Sequence, residues 1–470
     1  MKRADILLEK FTTPDLIVRR EFSGEKLRGV MLYNPDLTDT LIIQQLLKTI
    51  ESTKGKVENV DEFLTRFVVI AESEIANSQQ KALDGILNGD TVVIIDGVKG
   101  FVIANTRKYD KRAISEPPTS NVMLGPREGF VEDVKTNLTL IERRLRTTNL
   151  AIEKFRVGRE SGTCVAIVYL SNIADSKVVK KIRERIKGID IDGIIDSNYV
   201  RAFIEERPMS VFSQSAVSEK PDVVCAKMLE GRVAVIVDGS PMVLTFPFLL
   251  IEDFQSGEDY YQRSAFSTFL RIVRFLGVMT AIFLPGLYVA LQIFHYNIIP
   301  MRFVLTLMSS VSGIPFKPLS ETVFVILLFE LIREAGIRTP RAVGMAMSIV
   351  GALVLGETAV KAGIISSPAV MIVALSSLSL YTVPNQVGTM SILRIVFTLL
   401  GGAGGLYLII CGATFIALYL TSIDSFGTPY LAPFAPLNLD DMKDSIARVS
   451  LPRMKHRPSS LPNVNDRRQK

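Results

Sequence analysis

Arg271-Ile272-Val273-Arg274-Phe275-Leu276-Gly277-Val278-Met279-Thr280-Ala281-Ile282-Phe283-Leu284-Pro285-Gly286-Leu287-Tyr288-Val289-Ala290 is where the chain changes solvent. Before Arg274 the sequence mixes charged and apolar residues in the manner of a soluble α/β protein. Beyond it five stretches carry few or no charges, the longest running over 275–300, 362–393 and 395–423. Each of the three supplies the ~20 apolar residues that a helix needs to cross a bilayer core. The expected fold is a water-facing α/β half followed by an α-helical polytopic membrane domain. Any function has to couple the two.

Composition narrows the chemistry. The 470 residues imply about three domains at roughly 150 residues each. Hydrophobic residues make up 48% and mean hydropathy is +0.30, with nearly all the excess beyond Arg274. The first twenty residues are charged throughout and read as no secretory signal, so the first half is expected in the cytoplasm. Cys164, Cys225 and Cys411 lie far apart and match neither a disulfide framework nor a metal spacing. With only His295 and His456, imidazole catalysis and a multi-histidine metal site are not expected. No nucleophile–base pair or phosphate loop is present, so we expect no enzyme, no cofactor and no metal. The basic tail lacks an aromatic–basic platform and is read as membrane-side charge, not as a nucleic-acid site.

The water-facing half reads as a weak duplication. Leu27 to Tyr33 and Thr163 to Leu170 are strand-like, and Tyr33 stands at the same offset from Asp39 as Tyr169 from Asp175. Each aspartate precedes a helical pattern, as an N-cap does. Later in each copy a helix ends in Gly, and a buried strand then ends in Asp96-Gly97 or Asp238-Gly239, a hairpin signal. The expected boundaries are 1–24 (N-terminal segment), 25–105 (subdomain 1), 106–159 (linker and charged helix) and 160–255 (subdomain 2). Beyond them come 256–430 (helical membrane domain of five to six spans) and 431–470 (basic cytoplasmic tail). Within the linker, Arg127 and Glu128 sit on a Gly/Pro-framed loop, a candidate inter-subunit or interdomain contact. The helix after it, about 131–145, reads as a solvated interdomain helix or a subunit contact surface.

Long motifs recur in a family order. They include Gly125-Pro126-Arg127-Glu128-Gly129-Phe130, Leu140-Ile141-Glu142-Arg143-Arg144, Glu206-Arg207-Pro208 and Glu252-Asp253-Phe254-Gln255-Ser256. Pro285-Gly286-Leu287-Tyr288-Val289-Ala290, Arg333-Glu334-Ala335-Gly336 and Ser425-Phe426-Gly427-Thr428-Pro429-Tyr430 follow. Over about residues 15–435 the chain resembles the A subunit of spore germinant receptors, the GerA family; 213–220 departs from the pattern. The resemblance implies a nutrient receptor in the spore inner membrane. It also implies partners: a transporter-like B subunit, a lipoprotein C subunit and further copies of the chain itself. The A subunit of such a receptor is expected to oligomerise, conduct ions and help release cations at germination.

The membrane half has its own physical signals. Pro285-Gly286 sits inside the first span, a static kink or a gating hinge. The region 301–316 is too short for an ordinary span and suits an interfacial or re-entrant piece. Gly344, Ser348, Ala352 and Gly356 recur every four residues, so one helix face is made of small residues. Such a face serves close packing in lipid or lines a narrow oligomeric pore. Glu330, Glu357, Lys361 and Asn385 are the candidate membrane-embedded polar residues. Pro384-Asn385-Gln386 forms a polar break, either a ligand or ion contact or an exit turn. The run Gly401-Gly402-Ala403-Gly404-Gly405 reads as close packing. The basic tail favours an even number of crossings, six, with one irregular member near 301–316. Three functions stay open: an ion-conducting receptor subunit, a non-conducting scaffold of the receptor, and a solute transporter.

Overall fold

The computed structural model describes residues 2–469 except 24–26, 53–58, 69–72, 109–123, 341–342, 345–348 and 352. The chain opens on helix α1 (Lys2–Leu8). There follow β1 (Val18–Ser23), β2 (Arg28–Tyr33), α2 (Thr40–Ser52), α3 (Val60–Phe67), β3 (Ser73–Ala76), α4 (Gln79–Leu87), β4 (Thr91–Ile95) and β5 (Phe101–Ala104). Helix α5 (Val134–Arg144) leads into β6 (Leu150–Val157), β7 (Thr163–Leu170), α6 (Ser176–Lys187) and α7 (Ser197–Ile204). Next are β8 (Ala216–Ser218), α8 (Pro221–Met228), β9 (Val233–Val237) and β10 (Val243–Phe246).

The two sheets run β1-β2-β4-β5-β3 and β6-β7-β9-β10-β8, so each strand of the first has its counterpart five strands later. The duplicated layout is thus a duplicated topology. Its local signals act as expected. Asp39 accepts from the Leu41 amide at 2.8 Å and Asp175 from the Lys177 amide at 2.7 Å, each opening its helix. The β4–β5 and β9–β10 pairs are antiparallel hairpins, turned at Gly97 and Gly239 with φ of 82° and 86°.

Two boundaries move and one helix changes role. Strand β1 precedes residue 25, and β6 lies inside the stretch read as linker; both complete their sheets on one edge. Helix α5 is not a solvated interdomain helix. Val134, Leu138 and Ile141 are buried against Ile152, Val168, Val224 and Met228 of the second subdomain. Glu142 faces the first subdomain and accepts from Asn34 at 3.0 Å. Burial and the nearby Asp36 push its carboxyl up to about 7, with the Asn34 bond opposing.

The helical half comprises α9 (Ser264–Ile293), α10 (Met301–Val311), α11 (Pro318–Arg338), α12 (Ser367–Ser379) and α13 (Val387–Thr421), with a π-helical stretch at Val354–Ala359. Among the described residues Ser264–Ile293 is long and apolar enough to cross a membrane as one helix, and Pro384–Thr421 matches it in length and hydropathy but is broken at Gly404 and Gly405. The apolar run 362–393 is not one helix: it breaks into short turns at Leu380–Thr382 and Pro384–Gln386. Nor does Arg394 end a span, because α13 runs through it with its side chain 1% exposed.

Helix α13 is itself bent. Gly404 (φ −152°, ψ 23°) and Gly405 (φ 62°, ψ −149°) leave the helical region, the second with dihedrals open essentially to glycine alone. The segment after the bend folds back, so that Gly412 approaches Phe397 and Leu400. The glycine run is therefore a turn as well as a packing surface. Helix α10 leaves Met301, Phe303, Leu305 and Met308 exposed and buries only Leu307.

Helix α9 continues through Pro285. Proline has no N–H for the Ala281 carbonyl, and Ser376 Oγ of α12 donates to that carbonyl at 2.8 Å instead. Beside it Gly286 meets α13 backbone to backbone: a Cβ there would lie 2.5 Å from the Phe397 carbonyl oxygen, and one on Gly401 would strike the Gly286 carbonyl. We expect Gly286→Ala to destabilise the chain by about 1–3 kcal/mol. Gly336→Ala, in α11 with nothing within 4 Å of its Cβ, should gain about 0.5–1 kcal/mol. Unfolding of the detergent-purified variants checks the contrast.

Candidate functional site

The residues that join sheets to helices form the densest polar site outside the sheets. It is built on two short 3-10 turns, Leu250–Phe254 and Gly257–Tyr260, that precede α9. Asp259 ends the second turn, is 1% exposed, and accepts from the Ser256 amide at 3.1 Å. About two turns into α9, Arg271 and Arg274 share a face at i,i+3 spacing and both reach back to it. Arg271 Nε lies 3.0 Å from Asp259 Oδ2, and Arg274 donates to both carboxylate oxygens at 2.8 and 2.9 Å. Burial alone would raise the Asp259 carboxyl, but Arg274, the Ser256 amide and Arg271 hold it below the usual range.

Arg271 is fully buried and carries a second load. Its Nη1 donates to Asp444 Oδ1 at 2.9 Å and to the Ser445 carbonyl at 2.7 Å. Tyr260 donates its hydroxyl to Asp444 Oδ2 at 2.7 Å, and Arg271 and Arg448 stack at 5.7 and 5.3 Å from its ring. So the tail is not a free basic segment. Arg448 bonds to the Gln262 carbonyl at 2.8 Å, Leu461 is buried with Leu249, Ile251 and Ala432, and the Val464 amide donates to Ile173 at 2.8 Å. Arg468 pairs with Glu230 at 3.5 Å. The tail straps first helix to second sheet.

A second contact lies on the other side of the joint. Gln386 Nε2 donates to Asp253 Oδ2 at 2.6 Å, so the Pro384 break ends on the first 3-10 turn. Asn385 stands next to Gln386 in that break and lies close to Asp253. A cavity of about 240 Å³ opens here, lined by Phe254, Phe275, Met279, Met390 and Phe397 with Asp253, Gln386 and Thr389 as its polar groups. Burial pushes the Asp253 carboxyl up to about 6, against the Gln386 bond. Both ends of the α13 hairpin touch the same loop of the second subdomain: Thr389 donates to the Val211 carbonyl at 2.6 Å, and Arg207 donates to the Ser422 carbonyl at 2.7 Å.

The other expected residues are scattered. Glu128 is held by α5, accepting from Arg144 at 2.6 Å with Arg143 at 3.5 Å, while Arg127 is exposed. Their loop rests on the joint, since the Leu124 amide donates to Glu258 at 3.1 Å and a Cβ on Gly125 (φ 118°) would lie 2.7 Å from the Tyr261 ring. Glu330 is at mid-depth among the helices and pairs with Arg394 and Arg333, each at 2.6 Å. Glu357 and Lys361 form an exposed i,i+4 pair at 2.5 Å. Gly344 is buried and packs on Gly336 and Thr339, and Gly356 is exposed with nothing within 4 Å. Ser348 and Ala352 lie outside the described residues.

The joint predicts a pH dependence. Folded Asp253 keeps its proton up to about 6, while the unfolded carboxyl loses it near ~3.9. The folded chain binds the extra proton between those values, so this contribution is complete below ~4 and is lost as pH rises through about 6. Asp253→Asn should therefore match the wild type below pH ~4 and exceed its stability by roughly 2–3 kcal/mol above pH ~6, measured by denaturant unfolding across pH.

A profile of the family described as Bacillus/Clostridium GerA spore germination protein matches residues 5–460. The chain is 34% identical over 473 residues to Spore germination protein KA of Bacillus subtilis (strain 168), covering 99% of this chain and 87% of that protein. It is 34% identical over 453 residues to Spore germination protein GerLA of Bacillus cereus, covering 95% and 92%. An uncharacterized membrane protein of Bacillus subtilis (strain 168), YfkQ, is 33% identical over 455 residues, covering 96% and 89%. Among solved structures, the N-terminal domain of the A subunit of the Bacillus megaterium spore germinant receptor GerK3 aligns at 28% identity and a TM-score of 0.41, over 53% of this chain and 94% of that one. With the profile spanning nearly the whole chain and its relatives matched end to end, this protein belongs to the GerA family of spore germination proteins.

Proposed function

We propose that this chain is the A-type subunit of a nutrient germinant receptor, seated in the spore inner membrane with its sheets and tail in the cytoplasm. There it assembles with further copies of itself, a transporter-like B subunit and a lipoprotein C subunit, and contributes an ion-conducting path. Its family membership supports the receptor role. The strap supports the topology: the Val464 amide bonds to Ile173, so whatever crosses the bilayer between them must cross an even number of times.

The observation that carries the coupling is Arg271, shared between Asp259 and Asp444. A movement of the sheets cannot leave the first helix or the tail behind without parting buried charges. Helices that follow α9 touch it along its length, at Gly277–Thr382, Ala281–Ser376 and Gly286–Phe397. Displacement at the joint thus reaches α12 and α13 by direct contact.

The small-residue helix is the element we assign to the conduction path. Gly344 is used in packing within the chain, whereas Gly356 presents an open surface suited to a second copy. In spores carrying this chain as their A subunit, Ala352→Phe should abolish nutrient-triggered cation release while the complex still assembles. Normal release from a stably assembled Ala352→Phe complex would remove the pore assignment and favour the non-conducting scaffold.

A further inference from the structure

At the end of the helical half remote from the sheets, three elements bring four polar side chains together: Tyr288 and Gln292 of α9, Glu321 of α11, and Ser366, which caps α12. Glu321 is 0% exposed. One of its oxygens accepts from the Ser366 amide; the other has no hydrogen-bond partner. The Tyr288 hydroxyl and Gln292 Oε1 are buried and unpartnered as well. Tyr288, 8% exposed, has Ser366, Glu321 and Gln292 as its polar neighbours.

Three unpartnered oxygens in one buried place, one of them part of a carboxylate, form a costly arrangement that a bound cation would satisfy. Among the described residues no cationic side chain pairs with them. Helix α11 carries a second acidic residue at mid-depth, Glu330, and that one is met by Arg394 and Arg333. Glu321 has no such partner among the described residues, and Lys317, one turn before it, is exposed. One carboxylate is balanced by one positive charge. A divalent ion would leave a net charge in a buried site. Carboxylate, phenol and amide oxygens are ligands of a hard ion, not of a soft metal.

We propose that Glu321, Tyr288 and Gln292 bind a monovalent alkali cation, with Ser366 orienting the carboxylate through its amide. The site requires neither oligomerisation nor conduction, so its failure would leave the receptor assignment standing.

The test uses the full chain purified in detergent. Its thermal unfolding midpoint is followed against rising sodium, potassium or N-methylglucamine chloride at constant pH and matched ionic strength. Sodium or potassium should raise the midpoint saturably by several degrees above N-methylglucamine. E321Q should abolish that difference. Y288F should keep it but move its half-point to roughly tenfold higher cation concentration. Identical midpoints in the three salts would overturn the proposal, as would a cation response retained in E321Q. A midpoint that follows pH and ignores the cation would assign Glu321 a proton and overturn it too. Should E321Q not fold, Y288F decides: an unshifted half-point contradicts the site.

Discussion

The carboxylate of Asp259 ties the start of the first long helix to the turn that leads out of the sheets. Asp259 is buried between Arg271 and Arg274, and Arg271 passes the connection on to Asp444 in the tail. Buried ion pairs are expensive to form, and replacing one with apolar residues is often neutral. Breaking one is different, because the partner charge is stranded without water. Here Arg271, with 0% exposure, would lose one of its two acids and keep Asp444. The value of the arrangement is therefore positional. It fixes where α9 leaves the sheets, and it fixes the tail against both.

From that anchor the helical half is ordered by close contact and not by charge. Glycines let α9 and α13 touch backbone to backbone at Gly286 and Gly401. Helix α12 seals the carbonyl that Pro285 frees. At mid-depth Glu330 and Arg394 neutralise each other, with Ser377 taking a further Arg394 proton at 2.8 Å. Polar groups among apolar helices persist where they are paired, and that rule makes Glu321 conspicuous.

What the sequence made legible is local. Strand–Asp–helix and Asp-Gly patterns act within a few residues, and both copies fold as those patterns require. The change from sheets to apolar helices near Arg274 was equally plain, since it follows from composition. The joint was legible only as two arginines beside a span. Their partner Asp444 lies 173 residues from Arg271, and nothing in local pattern connects them. The tail was hidden by its charge: Leu461 and Met454 are buried beneath a run of arginines and lysines. Helix α5 carried a usable signal that its charges masked, since Val134, Leu138, Ile141 and Leu145 recur at helical spacing and are all buried. The glycine run at Gly401–Gly405 was read for size alone, although consecutive glycines also permit the backbone reversal found there.

The central claim, that Asp259 fastens tail and first helix to the sheets, is tested most directly by amide hydrogen exchange in the full-length chain. In the wild type the Arg448 amide is bonded to Thr268 at 3.0 Å and the Val464 amide to Ile173 at 2.8 Å. In Asp259→Asn those two amides should exchange roughly tenfold faster or more, while β7 and β9 keep their protection. Unchanged protection at Arg448 and Val464 would contradict the account.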